Sequence, residues 1–269
     1  MPNFASYDGV TLHYSVLGDG PPLVCLPGGP GGDGRGLGDL GGLARGRTLL
    51  RLDGRAGGRS AVPPDGAHCG FAAQARDVLA LADAFGLDRV DVVAHSAGTL
   101  TAQEFALRHP ARTGRLVLVT PAGRLAREPD ESELSAIRAE SGQRADAAAA
   151  VAAGAAPGAY GTWSAAARAH HAAGADYGTP PPWLRSRFYA DVTDEPTRVA
   201  RLGALRAPVL AVAGSRDGIA GTAPARLLAA CCPAARLALL PGCGHWPWVD
   251  DPAAFHAVVS AFLTAPATA

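Results

Sequence analysis

Val90-Asp91-Val92-Val93-Ala94-His95-Ser96-Ala97-Gly98 is the stretch on which the reading of this chain turns. Val90 to Ala94 is a short apolar run bounded by charge, as a buried strand would be, and Thr99 to His109 carries a helical pattern. Between them Ser96 has a small residue two positions before it and another two positions after it. A strand passing through small-x-Ser-x-small straight into a helix predicts a nucleophile elbow, a sharp turn that lifts the serine hydroxyl to the top of a sheet. Ala94 satisfies the first small position because only bulk is excluded there. Serine is also a good ordinary helix N-cap, but a cap requires neither the preceding strand nor the flanking small residues.

Working outward, the runs Pro22 to Leu26, Thr48 to Leu52, Arg115 to Thr120, Val209 to Ala213 and Arg236 to Leu240 are equally short, apolar and unalternating. Strands of a parallel sheet covered on both faces read this way. The Asp8-Gly9 pair between segments 3 to 7 and 10 to 16 predicts a hairpin at the start of the sheet. Helical stripes lie between the runs, with Phe71, Val78, Ala82 and Phe85 on one and Phe255, Val258, Val259 and Phe262 on the last. Asp251-Pro252 supplies an N-cap and a first-turn proline to that last helix. The expected fold class is α/β, with a mostly parallel central sheet flanked by helices and right-handed crossovers.

Residues 122–200 break the rhythm with Ala-rich helical stretches, the run Pro180-Pro181-Pro182 and no convincing strand. They are expected to form a helical lid inserted between two parts of one core, residues 1–121 and 201–269. Trp163, Trp183, Phe188 and Tyr189 give that lid apolar surface to bury. The Ala147 to Ala156 tract is expected to be helical, since alanine is the best helix former.

A serine nucleophile needs a base, and the base needs an acid to fix its tautomer. Asp217 follows the Val209 to Ala213 strand in Gly214-Ser215-Arg216-Asp217-Gly218, and His245 sits in Gly242-Cys243-Gly244-His245-Trp246-Pro247 after the next strand. The order Ser96, Asp217, His245 is the one an elbow-bearing sheet requires. His95 and the His170-His171 pair read as packing or solvated residues instead. The loop Leu26-Pro27-Gly28-Gly29-Pro30-Gly31-Gly32 can bring backbone amides close to a developing oxyanion. Its donor would be Gly29 or else Gly28, with Ala97 after the nucleophile as the second. Without a lysine or a Gly-x-Gly-x-x-Gly leading into a helix, the loop is a poor phosphate cradle.

Composition narrows the rest. The 269 residues carry 24 basic and 24 acidic side chains, too balanced for a nucleic-acid binder. Every basic residue is arginine, which excludes Schiff-base and pyridoxal chemistry at a lysine. Cys25, Cys69, Cys231, Cys232 and Cys243 show no paired metal-ligand spacing, and Cys231-Cys232 reads as small filler at a helix end. No apolar run is long enough to span a membrane, and Met1 to Gly9 does not read as a secretory signal. A cytoplasmic enzyme is expected, without metal or organic cofactor, and the oligomeric state is left open.

Three segments together resemble the proline iminopeptidase-like group of α/β-hydrolases. Gly28-Gly29-Pro30-Gly31 is similar to that group's His-Gly-Gly-Pro-Gly, with Pro27 replacing the histidine. Asp53-Gly54-Arg55-Ala56-Gly57-Gly58-Arg59-Ser60 resembles its Asp-x-Arg-Gly-x-Gly-x-Ser except at Ala56, and Gly244 to Pro252 resembles its histidine loop. The resemblance covers residues 20–121 and 205–264 and implies a serine hydrolase for a small-molecule or short-peptide ester or amide, including an N-terminal proline bond. In that group acidic cap side chains hold the substrate amine, and Glu131, Glu133, Glu140, Asp191 and Glu195 are the candidates here, with a solvated lid face as the alternative reading. Glu131, Trp163, Trp183 and Trp246 are the residues expected against substrate. A tailoring thioesterase, lactonase or cyclase, a carbon-carbon bond hydrolase and a non-catalytic ligand-binding relative are the alternatives. Asp53 and Arg55 are expected to brace their loop.

Overall fold

Side chains along a strand alternate between faces, so a run without alternation needs cover on both sides, and the computed structural model provides it. It describes residues 2–121 and 130–265; the first eight residues of the expected lid and the last four of the chain lie outside the described residues. Among the described residues eight strands form one sheet: β1 (Asn3–Ala5), β2 (Thr11–Leu17), β3 (Pro22–Leu26), β4 (Thr48–Leu52), β5 (Val90–His95), β6 (Thr113–Val119), β7 (Val209–Gly214) and β8 (Ala235–Leu240). Their order is β1-β2-β4-β3-β5-β6-β7-β8, antiparallel at β1, β2 and β4 and parallel from β4 to β8.

Val24, Leu50, Val92, Leu116 and Ala211 point to one face, where α1 (Phe71–Ala84), α2 (Gly98–Arg108) and α8 (Ala223–Cys231) cover them with Phe71, Val78, Phe105 and Leu228. Leu23, Leu49, Val93, Val117 and Val212 point to the other, against Leu37, Leu40, Trp248 of the short α9 (Pro247–Asp250) and α10 (Pro252–Thr264). Asp251 caps α10 through the Ala254 amide, as its sequence implied. The hairpin at Asp8-Gly9 is present, closed by the Ser6 amide on the Val10 carbonyl at 2.8 Å. Strand β6 starts two residues before the expected Arg115, because its register shifts between Val90 and Val92 and Asp91 Oδ1 accepts the Arg115 amide at 2.8 Å. Cys25, Cys69, Cys232 and Cys243 form no disulfide, and Cys231-Cys232 ends α8.

Between β6 and β7 the described residues form α3 (Glu131–Gln143), α4 (Ala147–Ala152), α5 (Ala165–Ala173), α6 (Leu184–Phe188) and α7 (Glu195–Gly203) and no strand. Asp130, Ser164 and Asp194 cap α3, α5 and α7 by accepting backbone amides. The alanine tract stops being helical sooner than composition suggests. Gly154, at φ +82°, turns the chain and the Ala155 amide closes on the Ala150 carbonyl at 3.0 Å.

Two buried ionic clusters tie these parts together. Arg55, fully buried, donates to Asp77 at 2.6 and 2.8 Å and to Asp8 at 2.6 and 2.9 Å, joining its loop to α1 and to the hairpin. Asp53 accepts the Gly34 and Arg59 amides at 2.7 and 2.9 Å, so both residues brace loops as expected. Ala56, standing where the resembling pattern has glycine, takes φ +56°. On the other side Glu104 of α2 accepts from Arg108 at 2.5 Å and from Arg201 of α7 at 2.8 and 2.9 Å, with Arg198 3.5 Å away. Burial alone would raise the Glu104 carboxyl, but the Arg201 and Arg108 hydrogen bonds hold it below its ordinary value.

A carboxyl depressed in the folded state stabilises the fold above its unfolded pKa, and that contribution disappears as pH falls through the folded value. Urea unfolding of the wild type should therefore weaken on acidification through that window, and Glu104→Gln should flatten the decline. Near pH 7 the variant should be less stable by about 1–3 kcal/mol, because buried Arg198 loses its counter-ion while Arg108 and Arg201, partly exposed, are screened by solvent. Parallel pH profiles for the two proteins would show that Glu104 carries no such linkage.

Candidate active site

Strand β5 ends beside Ser96, which adopts φ +49°, a left-handed conformation that is uncommon and costs a non-glycine residue about 1–3 kcal/mol. Neighbours enforce it. The Ser96 amide donates to the Val119 carbonyl at 2.9 Å, and the Ser96 carbonyl accepts the Thr99 amide and hydroxyl at 3.0 and 2.5 Å. A Cβ on Gly98 would lie 2.5 Å from the Pro27 carbonyl oxygen and 3.0 Å from that of Leu26, which is why the second small position must be glycine. A Cβ on Gly28 would lie 2.8 Å from Ser96 Cβ. The Gly28-Gly29 backbone thus stands against the serine, where side chains would have kept it away.

Asp217, fully buried after β7, accepts the Ile219 and Ala220 amides on Oδ1 at 2.9 and 3.0 Å. Its Oδ2 lies 2.8 Å from His245 Nδ1. A carboxylate only accepts, so Nδ1–H is the donor and the neutral ring leaves Nε2 as an acceptor. The histidine loop is held from three sides: the His245 amide donates to the Ala159 carbonyl at 2.9 Å, and its carbonyl accepts from His95 Nε2 and Thr120 Oγ1, both at 3.1 Å. Burial, then the neighbouring His245, pushes the His95 pKa well below its ordinary value, so His95 is a neutral donor here.

Ser96, His245, Gly28, Gly29 and Trp246 share the wall of one cavity of about 370 Å³ at the carboxyl ends of the parallel strands, where α/β sheets bind ligands. Asp217 sits behind His245. Ala97 begins the turn into α2, directly after the serine. A larger hollow of about 690 Å³ lies among Arg89, Arg115, Arg206 and Arg236 at the opposite edge, remote from Ser96.

Of the four residues expected against substrate, Trp246 is in the cavity wall and the other three are elsewhere. Trp163 is buried behind it, its ring committed to Tyr160 and His171 at 5.5 and 5.4 Å. Trp183 packs with Leu184, Ala56 and Cys69 and over Gly66. Glu131 is exposed and lies 3.8 Å from Arg138. The remaining candidate carboxylates are also away from the cavity: Glu133 binds Thr222 and the Ala223 amide at the start of α8, Glu140 pairs with Arg216, Asp191 abuts Gly70, and Glu195 opens α7.

Tyr160, Tyr177 and His170 were not expected in the wall and are there. Tyr160 stacks on Trp246 with ring centres 4.9 Å apart. His170 donates from Nε2 to the Gly36 carbonyl at 2.9 Å, leaving Nδ1 to accept the Tyr160 hydroxyl at 2.7 Å, and burial lowers its pKa. It is therefore neither a solvated nor a plain packing histidine. The sequence signal was the unusual density of aromatic and histidine residues in an alanine-rich segment, but nothing local says which of them fold over Ser96. Among the described residues no three His, Cys, Asp or Glu side chains group as a metal site would need, and no helix is long and apolar enough to cross a membrane.

The family model for the alpha/beta hydrolase fold matches residues 21–252. The chain belongs to the α/β-hydrolase fold family. A Caulobacter sp. (strain K31) protein named "Putative carbamate hydrolase RutD" is 31% identical over 235 residues, covering 82% of each chain. A hydrolase from Pseudomonas aeruginosa PA01 superposes with a TM-score of 0.74 at 27% identity over 98% of both chains. Est816, described as an N-acyl homoserine lactone degrading enzyme, gives 0.71 at 25% identity over 97% of this chain and all of its own. Two of these proteins are named for a carbamate and for an N-acyl homoserine lactone, and none of the three is named for a proline peptide.

Gly98→Ala tests the elbow. Forcing a methyl group against the Pro27 carbonyl should destabilise the fold by about 1–3 kcal/mol. It should also slow covalent labelling of Ser96 by a fluorophosphonate about tenfold to 100-fold, read by intact-mass spectrometry alongside an unchanged circular dichroism spectrum. Unaltered labelling would mean that the close approach does not hold the serine.

Proposed function

We infer that this α/β-hydrolase is a serine hydrolase of small, uncharged esters, lactones or carbamates, working through an acyl-enzyme. The observation that carries the reading is the His245–Asp217 hydrogen bond of 2.8 Å beside a cavity that His245 shares with a left-handed Ser96. Ser96 Oγ attacks the carbonyl carbon while its proton passes to His245 Nε2, and Asp217 stabilises the resulting imidazolium. The oxyanion is held by the Gly29 amide, or Gly28, and by Ala97, each such donor being worth about 2.7–4 kcal/mol. His245 returns the proton to the departing alcohol or amine; water then attacks the acyl-serine by the same route and frees the acid.

The wall argues for an uncharged substrate. Among the described residues it contains no arginine, and Asp33, its one described carboxylate besides the buried Asp217 behind it, is already bound by Arg35 at 2.8 Å with Arg59 3.8 Å away. Among these residues a substrate carboxylate finds no arginine, and a substrate ammonium finds no free carboxylate. Tyr160, Tyr177 and Trp246 offer flat apolar faces. This disfavours the iminopeptidase reading, which requires a carboxylate for the free proline amine. The α3–α7 insertion acts as the cap that gives the cavity its shape. Thioesterase, lactonase and cyclase activities would use the same three side chains and differ in the acyl donor.

Initial rates on short 4-nitrophenyl esters, γ- and δ-lactones, a dicarboxylate half-ester and proline 4-nitroanilide decide the matter. Neutral esters and lactones should be turned over, and Ser96→Ala should lower those rates by about 10⁴ to 10⁶. Fast, Ser96-dependent cleavage of the prolyl anilide would restore the peptidase. Absence of both turnover and Ser96 labelling would leave a ligand-binding protein.

A further inference from the structure

The cap is not attached to the catalytic loops at its ends alone. Residues 157–161, midway along it, run against both loops at backbone contact. The Gly218 amide, next to Asp217, donates to the Gly158 carbonyl at 3.0 Å, and the His245 amide donates to the Ala159 carbonyl at 2.9 Å. Asp250 Oδ2 then accepts two amides at once, Gly161 of the cap at 2.9 Å and Gly244 of the histidine loop at 2.7 Å. Arg144 holds the same strap from the cap side, donating from Nη1 to the Gly161 and Tyr160 carbonyls at 2.6 and 3.2 Å.

The fit depends on missing side chains. A Cβ on Gly161 would stand 1.8 Å from the Gly242 carbonyl oxygen, one on Gly158 2.6 Å from Gly218 Cα, and one on Gly244 2.7 Å from the Ala159 carbonyl oxygen. Gly158 also holds φ +72°. Backbones that approach this closely on both sides cannot slide past one another, and lifting the strap would remove the acceptor from the His245 amide. A lid that opens by rising as one piece would therefore dismantle the histidine it covers.

We propose that residues 157–161 are a positioning strap for His245 and Asp217, clamped by Asp250, and that any opening of the cap leaves this strap in place. The proposal rests on the serine-hydrolase reading for its kinetic consequence but not for its structural one. Asp250 touches no substrate-facing group; it acts through the Gly244 amide on the residue beside it. Its carboxyl takes the Thr162 amide as well as those of Gly161 and Gly244, and an asparagine can place its amide oxygen at the Oδ2 position and keep the Gly161 and Gly244 bonds. Asp250→Asn is thus the conservative variant and Asp250→Ala the disruptive one.

Two readouts on the full chain separate the possibilities. The first is the low-field NMR resonance of the His245 Nδ1 proton, assigned by its loss in His245→Asn. The second is the steady-state rate on a neutral 4-nitrophenyl ester. In folded Asp250→Ala the resonance should broaden or vanish and kcat should fall about 100-fold, the scale of a 1 Å misplacement, with KM changed by less than about threefold; Asp250→Asn should recover most of both. If Asp250→Ala does not fold, Gly161→Ala displaces the strap with Asp250 intact and is read in the same way. An unchanged resonance in a folded disruptive variant overturns the strap, whatever happens to kcat. A lost resonance, restored by Asp250→Asn, in a protein whose ester turnover survives Ser96→Ala upholds the strap and instead overturns the hydrolase reading.

Discussion

The hydrogen bond from His245 Nδ1–H to Asp217 Oδ2 is the contact on which the site depends, because it settles which nitrogen of the ring is left to accept a proton. Its two ends come from loops after different strands, β7 and β8, so the sheet register must be right before the bond can form. Each end is then held by groups that cannot rotate away. Backbone amides 219 and 220 hold the carboxylate, and His95 and Thr120 hold the carbonyl of the histidine itself. A side-chain pair hung on free loops would sample many geometries; this one is fixed by backbone amides at Asp217 and through the amide and carbonyl of His245 itself.

The strain at Ser96 belongs to the same design. A left-handed serine is unfavourable by itself, yet it sits at the centre of the parallel sheet, bonded to Val119 on one side and capped by Thr99 on the other. Both faces of that sheet are covered by closely packed apolar side chains, and the resulting stability is what can hold one residue in a costly conformation. Loops at the strand ends are free to carry chemistry because the strands themselves are not free to move.

Much of this was legible in the sequence, and the reason is that it is local. Ala94-His95-Ser96-Ala97-Gly98 encodes a turn through the sizes of its residues, and Gly98 proves to lie against the Pro27 carbonyl in the way such a turn demands. Apolar runs marked six strands to within two residues at each end, and Asp251 announced the last helix. The unread part is non-local. His170 and Tyr160 are ten residues apart in a segment without periodicity, and only the path of the cap brings them over the cavity, against Gly36 and Trp246. Trp163 and Trp183 were good candidates by residue type and are occupied in packing. Gly158 and Gly161 have no side chain where the loops of Asp217 and His245 pass, and nothing in their own neighbourhood reveals that.

The central claim is that Ser96 becomes acylated inside a cavity for uncharged substrates, and rapid-quench mass spectrometry tests it most directly. Mixing the protein with a short 4-nitrophenyl ester and stopping the reaction in acid within the first turnover should yield a peptide spanning Ser96 heavier by the acyl group, absent from Ser96→Ala. An unmodified Ser96 peptide alongside full release of 4-nitrophenol in that first turnover, or an acyl group on another residue, would contradict the account.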